Sequence, residues 1–418
     1  MIRKIGILAY NRAINFGASL QVFSTYNYLV NHGYEPYIID WIPFDLKEQY
    51  YRTVPKQQII VHNKFIAEMR STSVCHNSKE IANQLIAFGI QAVVIGSDAV
   101  VQHHTWKDNI VFPSRHFIDI INRTSDTVFP NPFWGTFEDY LDKKIPLAFL
   151  SVSSQNSDYK NYTKSLMRKM CYAVKDRYIY VSVRDTWTQK MFQHFSLGEI
   201  NPEVTPDPVF AFNYNVPKRY VISKNDILEK YNLPNNYVLV SFLDNKCVSR
   251  EWLDEFGSLC NINGLNCVAF PFPEGVRFVH NFKYEINVPI SPLDWYYIIK
   301  YASGYVGQNM HPIIVSLHNS VPFFSFDHYG ITHFKMYVES SSSKIYHILN
   351  AADFKDYRFE SRNILKKRPN PQYVVDKLLH FDKSKCQTFA KEYYRKYCLM
   401  MSRICDGFEN CCRFTEDR

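Results

Sequence analysis

Four stretches of this chain put chemically capable residues where a strand gives way to a loop. In Tyr305-Val-Gly-Gln-Asn-Met-His-Pro-Ile-Ile-Val-Ser-Leu-His-Asn319 an apolar strand breaks at Gly307, and a helix is predicted from Pro312 with His311 at its N-cap or just before it. Proline suits the first helical position because the N–H it lacks would be unpaired there. The free N–H groups and positive dipole end of such a helix attract anions, and an imidazole beside them can move a proton. Gln308, Asn309 and Pro312 belong to the same turn.

Arg184 is the second candidate, at the end of the apolar run Tyr178–Val183. A guanidinium buried there needs a partner, either a carboxylate such as Asp185 or Asp207 or an anionic ligand, to which it offers two parallel donors. The third and fourth are the loop Asn11-Arg-Ala-Ile-Asn-Phe-Gly17 and Gly96-Ser-Asp98. Asp98 suits either work on a hydroxyl, by orienting or deprotonating it, or a turn cap. Neither loop is a G-x-G-x-x-G or Walker sequence, which speaks against a dinucleotide or P-loop nucleotide. His103-His104, His328 and His333 lack a carboxylate or cysteine at ligand spacing, so no metal is expected.

The elements that would position these residues alternate. Ile5–Ala9, Tyr37–Asp40, Ala92–Ile95, Leu147–Leu150 and Tyr178–Val183 read as strands, with helical spacing over Ala18–Asn31, Lys164–Val174 and Thr186–Phe195. Beyond Thr205-Pro-Asp-Pro208 and Val216-Pro217 a second series begins. Its strands are expected at Val238–Phe242, Cys267–Phe270, Gly304–Val306 and Phe323–Phe326, and its helices from near Glu251, Pro292, Pro312 and Thr332. The pattern predicts an α/β chain of two Rossmann-like domains facing a cleft, where ligands meet the carboxyl ends of strands. The expected divisions are 1–210, 218–385 and a C-terminal helical segment, 386–418. An aromatic and proline-rich insertion between Asn122 and Lys144, with Pro130, Pro132, Phe133, Trp134 and Gly135, reads as an irregular loop serving as a lid or acceptor wall. Tyr393, Tyr394, Tyr397, Leu399, Met400 and Ile404 form a broad helical stripe, suited to packing across both domains or lying on a membrane surface.

Composition narrows the function classes. With 418 residues, 46% hydrophobic and 21% charged, the chain can bury a sizeable core, and its 30 Tyr and 31 Phe serve cores and interfaces as well as sugar-binding grooves. The net charge of +8 comes without a polybasic arm, so no nucleic-acid partner is expected. The short clusters Lys143-Lys144, Lys366-Lys367-Arg368 and Arg395-Lys396 suit solvated surface, or attraction to anionic lipid or a phosphorylated substrate. Ten cysteines without C-x-x-C spacing read mostly as buried thiols. No 18-residue apolar window and no signal-peptide core occur, which points to a cytoplasmic location.

Taken in order, Tyr10–Gln21, Gly96-Ser-Asp98, Ser182-Val-Arg-Asp185, Asp207-Pro208 and Gly307–Pro322 resemble the motif series of the polysaccharide pyruvyl transferase family, over about residues 1–340. The resemblance implies a glycosyltransferase B-like fold and transfer of a pyruvyl group from phosphoenolpyruvate to a pair of sugar hydroxyls, giving a cyclic ketal on a capsular or cell-surface glycan. It implies phosphoenolpyruvate as a substrate, with no cofactor. The glycan partner would be a polyprenyl-diphosphate-linked oligosaccharide, with a galactose-type acceptor sugar, met at the inner membrane surface through peripheral contact. The family's arginine at the end of a first-half strand matches Arg184, and its histidine at the start of a second-half helix matches His311. On that basis His311, Arg184 and Asp98 are the expected catalytic residues. Arg184, Gln308, Asn309, His311 and Pro312 are expected on the donor, in the second domain, and Arg12, Asn15, Phe16, Gly17 and Asp98 on the acceptor, in the first. The family commonly carries arginine where this chain has Asn309, so Arg184, Gln308, the amides at the helix start or a basic residue from elsewhere such as Arg277 must compensate. A nucleotide-sugar glycosyltransferase and a catalytically inactive glycan-binding homologue are the alternatives.

Overall fold

The computed structural model describes residues 2–105, 110–111, 119–120, 123–155, 157–333 and 337–416. Strands β1 (Lys4–Leu8), β2 (Glu35–Ile38) and β3 (Ala92–Asp98) precede a short antiparallel pair, β4 (Ile110–Val111) and β5 (Asp119–Ile120). Strands β6 (Leu147–Val152), β7 (Tyr178–Val183) and β8 (Glu203–Val204) complete a parallel sheet of order β2-β1-β3-β6-β7-β8. Its central strands β3 and β6 open on apolar runs, Ala92–Ile95 and Leu147–Leu150, and are buried on both faces, as a sheet covered by helices requires.

A second parallel sheet follows, built from β9 (Tyr237–Ser241), β10 (Asn266–Ala269), β11 (Tyr284–Glu285), β12 (Gly304–Gly307) and β13 (Phe323–Asp327). It is interrupted by the antiparallel pair β14 (Ile331–His333) and β15 (Tyr337–Glu339) and closed by β16 (Arg358–Glu360), giving the order β11-β10-β9-β12-β13-β16. Strand order reverses between β1 and β3 in one sheet and between β9 and β12 in the other. Crevices open at such switch points, beyond the strands' carboxyl ends. The 34-residue C-terminal helix, Lys383–Glu416, touches both halves: Cys386 Sγ donates to Leu317 O at 3.1 Å, and Tyr397 meets Tyr28 edge to face at 5.6 Å. No helix among the described residues is long and apolar enough to cross a membrane.

Three expectations are corrected. The helix carrying His311 starts at Met310 with Asn309 as N-cap, so His311 and Pro312 lie inside its first turn. Several N–H groups of a first turn lack intrahelical partners, so proline is tolerated beyond the first position. No helix starts at Thr332, which lies in β14. Ile331 and Thr332 are β-branched, and Val338 faces Thr332 across the ladder. The aromatic insertion is neither lid nor wall over its described residues, and Asn122 lies outside them. Phe133, Trp134 and Phe137 are fully buried, with Trp134 packed against Phe149, Phe192 and Phe195. Their apolar area outweighs the loop-like prolines around them.

If this segment is core, Trp134→Ala costs about 3–5 kcal/mol. Urea denaturation should show a lower midpoint, whereas a lid residue would leave the midpoint unchanged and alter only turnover.

Candidate active site

Arg184 extends from the end of β7, its backbone N–H bonded to Val152 O at 2.8 Å, into a pocket where only 4% of its side chain is exposed. Nη1 meets Asp207 Oδ2 at 2.9 Å and Nη2 meets Asp98 Oδ1 at 3.3 Å, while Nε is buried without a partner. Of the two carboxylates weighed for it, Asp207 is the partner. Asp185 instead caps the helix Thr186–Phe195, accepting from Thr188 N at 2.7 Å, and receives the Ser153 hydroxyl at 2.7 Å. Asp98, at the end of β3, adopts φ 83°, a left-handed conformation that strains a non-glycine residue. Burial alone would raise its pKa, but Arg184, Lys344 and His311 hold the carboxyl down at about 2.

His311 reaches the same cluster from the second half. The turn that aims it is fixed at each residue. A Cβ on Gly307 would collide with Ser241 O, Gln308 N donates to Ser241 O at 3.1 Å, and Asn309 N donates to Tyr305 Oη at 3.2 Å. The imidazole lies 4.0 Å from Asp207 Oδ2, with Nε2 buried and unbonded. Burial pushes its pKa down to about 4, helped by Arg184 and Lys344 against the pull of Asp98 and Asp207. At neutral pH the ring is uncharged, ready to hydrogen-bond or accept a proton.

The helix Phe16–Asn31 couples the halves at this point. Gly17 presses on the His311 ring so closely that any Cβ would fall within it. One turn later Gln21 donates from Nε2 to Asp207 Oδ2 at 2.5 Å. Phe16 stacks on Trp295 of the second half, with ring centroids 5.4 Å apart. Asn15 is the N-cap, accepting from Gly17 N at 3.0 Å and Ala18 N at 3.3 Å. These contacts show Asn15, Phe16 and Gly17 shaping the interface between the halves. Arg12 faces a separate cavity of about 220 Å³ lined by Lys47, Tyr50 and Tyr51, and its guanidinium is held by Asp40 and Asn63. Gln308 is buried, with Oε1 taken by Leu243 N at 2.8 Å. Asn309 makes no side-chain cap bond, and Pro312 is buried in the first turn. Arg277 is exposed.

Sequence reasoning missed three participants. Gln21 carries an i, i+4 signal from Gly17 on one helix face. Asp207 was weighed only as a structural partner. Lys344 begins the helix Lys344–Ala351 and lines the same crevice as Arg184, Asp207, Met310 and His347. Nothing in the serine run before it signals burial. No group of three or more His, Cys, Asp or Glu that could hold a metal ion occurs among the described residues.

The profile of the polysaccharide pyruvyl transferase family matches residues 15–329. No curated protein matches the chain in sequence. Among solved structures, UDP-N-acetylglucosamine 2-epimerase from Rickettsia bellii is similar with TM-score 0.50 and 8% identity, over 97% of each chain. The Neisseria meningitidis UDP-GlcNAc 2-epimerase bound to UDP-GlcNAc gives TM-score 0.48 and 9% identity, over 94% of this chain and 99% of that one. S. aureus MnaA with UDP gives 0.45 and 12%, over 93% and 91%. At such identities the likeness concerns the fold alone, which is glycosyltransferase B-like.

Gly17→Ala should displace His311 and break the contact between the halves, lowering both the melting temperature and turnover by more than an exposed Gly→Ala change would. A second expectation concerns pH. The native imidazole stays neutral down to about pH 4, while the unfolded one takes its proton near 6.5, so the unfolded chain binds more protons between these values. Stability of the ligand-free protein should therefore fall as pH drops through that window, with buried His62 and His328 adding to the slope, and His311→Gln should flatten it. Asp98 acts in a different window, losing its contribution only as pH falls from about 3.8 towards about 2.

Proposed function

The chain belongs to the polysaccharide pyruvyl transferase family, and on that premise we propose that it moves the pyruvyl group of phosphoenolpyruvate onto two hydroxyls of a glycan sugar and releases phosphate. The observation that carries this reading is the buried junction where Arg184 and Asp98 from one sheet meet His311 from the other around Asp207. The donor is a compact polyanion, and a guanidinium with fixed donors around it is the fitting anchor.

Mechanistically, one sugar hydroxyl attacks C2 of the enol phosphate while a proton is delivered to C3, turning the methylene into a methyl group. The second hydroxyl then attacks C2 as the C2–O bond to phosphate breaks, and its proton leaves with the phosphate. The products are the ketal and inorganic phosphate, with no change of oxidation state. His311 is neutral at rest, and a phosphate arriving beside it raises its affinity for a proton. It therefore suits the proton-transfer or phosphate-stabilising role. Asp98 stays ionised and keeps about 10% of its side chain exposed, so it suits accepting hydrogen bonds from the attacking hydroxyls. Arg184 faces the donor's anionic groups while fixing Asp98. We place the acceptor on a lipid-linked precursor, with a galactose-type sugar as the first candidate.

The test is incubation of the full chain with phosphoenolpyruvate and a galactosyl acceptor, following phosphate release and acceptor mass. Phosphate with a ketal-sized mass gain is expected. A gain only with a nucleotide sugar, or no reaction with either donor, overturns the reading. His311→Ala should lower turnover by ~10²–10⁴. Arg184→Lys keeps the charge but loses the two-sided pairing, and it should weaken donor binding.

A further inference from the structure

We infer that the cavity beside the helices Phe44–Thr53 and Lys56–Ile66 seats the phosphates of a lipid diphosphate, the carrier end of the acceptor, with Lys47 and Arg12 as its cations. The inference rests on the lipid-linked acceptor of the preceding reading and adds where the carrier sits, apart from the crevice of Arg184.

The lining is the first argument. About 220 Å³ in volume, the cavity joins polar Arg12, Lys47 and Asn63 to apolar Ile14, Ile42, Ile59 and Val74. Arg12 uses three of its five N–H groups, Nε and Nη2 on Asp40 and Nη1 on Asn63 Oδ1 at 3.1 Å, which leaves two donors. Asp40 is 2% exposed and its charge is matched by Arg12. Lys47 forms no ion pair among the described residues, because the carboxylates of its own helix are engaged elsewhere: Asp45 accepts from Ser125 N at 2.7 Å, and Glu48 pairs with Arg52 at 3.3 Å. The cavity therefore holds a surplus of positive charge and spare donors next to hydrocarbon. An anion joined to a hydrocarbon chain is the matching ligand.

The rim is the second. Tyr51 and Val74 line the cavity, Phe44 and Ile60 sit on the two helices beside it, and all four stand in solvent, at 60%, 43%, 63% and 57% exposure. Singly such residues are ordinary, but grouped at one cavity they mark a binding surface. The helix Lys56–Ile66 adds Lys56 and Lys64 and contains no carboxylate, so positive charge flanks the rim. A lipid tail fits over this rim while its phosphates enter between Lys47 and Arg12.

Position relative to the crevice is the third. Tyr50 also lines the cavity; burial pushes its phenol up, and Asp126, Asp98 and, from the second half, Glu274 add to the rise. The loop carrying Arg12 continues into Gly17 at the His311 ring, and His62 Nε2 meets that loop at Asn11 O, 2.9 Å away. Gln58 of the same helix as His62 donates to Ile290 O at 2.9 Å. The cavity thus neighbours the crevice, and a sugar joined to a diphosphate held here lies within reach of Asp98.

The experiment is calorimetric titration of the full chain with geranyl diphosphate as the lipid diphosphate and inorganic diphosphate as its tail-free control, for wild type, Lys47→Glu and the double change Ile60→Ser with Val74→Ser. Wild type should bind geranyl diphosphate ~10-fold or more tighter than inorganic diphosphate, and saturating phosphoenolpyruvate should not displace it. Lys47→Glu should weaken geranyl diphosphate by ~10- to 100-fold. The double change should weaken it by ~10-fold and leave inorganic diphosphate unaffected. Each substituted side chain reaches solvent, so circular dichroism should match wild type. No binding by wild type, equal binding by Lys47→Glu, no preference for the lipid form, or displacement by phosphoenolpyruvate overturns the inference. Lys47-dependent pelleting with phosphatidylglycerol vesicles, without affinity for geranyl diphosphate, also overturns it, since the face would then be a membrane contact. None of these outcomes involves pyruvyl transfer, so each leaves the ketal reading standing. A chain that binds geranyl diphosphate through Lys47 but transfers no pyruvyl group overturns that reading alone.

Discussion

Arg184 is the residue to which the rest of the site is subordinate. A guanidinium with 4% of its side chain exposed has lost nearly all its water, and leaving it unpaired would cost several kcal/mol. Two carboxylates must therefore converge on it from different parts of the chain, Asp98 from the end of β3 and Asp207 from the segment after β8. That requirement fixes the ends of neighbouring strands relative to one another. It also gives Asp207 a surplus of acceptor capacity, which Gln21 takes up and towards which His311 turns. A single buried cation thus organises both halves of the crevice.

The same burial sets the protonation states. In a wet groove Asp98 and His311 would hold ordinary pKa values and drift with their surroundings. Here the carboxyl is ionised down to about pH 2 and the imidazole neutral down to about pH 4. An acidic and a basic function are separated although both groups respond to the same Arg184 and Lys344. The opposite signs arise because cations stabilise a carboxylate and destabilise an imidazolium.

Much of this was legible in the sequence, for identifiable reasons. Arg184 stands out because it follows an apolar strand with a group that is costly to bury unpaired, and His311 because it opens a helix just beyond another. The inner strands of both sheets were legible because buried parallel strands leave continuous apolar runs, whereas the short edge strands β8, β11 and β16 carry no such run and were not read. Hidden were features decided by long-range packing. Trp134 sits among prolines that spell loop, yet it lies against Phe149 and Phe192. Lys344 follows a serine run that reads as surface, and only the fold brings it to Tyr329 and the carboxylates. Asn15 and Gly17 were recognised as special, but the packing of Gly17 on His311 was not, since a single sequence cannot show that the partner of a glycine lies almost three hundred residues away.

That partner relation bears on how the site works. His311 leans on Gly17, Phe16 stacks on Trp295, and Gln58 exchanges two hydrogen bonds with the backbone of Ile290, at 2.9 and 2.8 Å. Each contact joins the first half to the second. The imidazole of His311 sits beside Asp207 only while these contacts are made. The glycine that admits the histidine is thus as much a part of this junction as the histidine, because a Cβ there would fall on the imidazole ring.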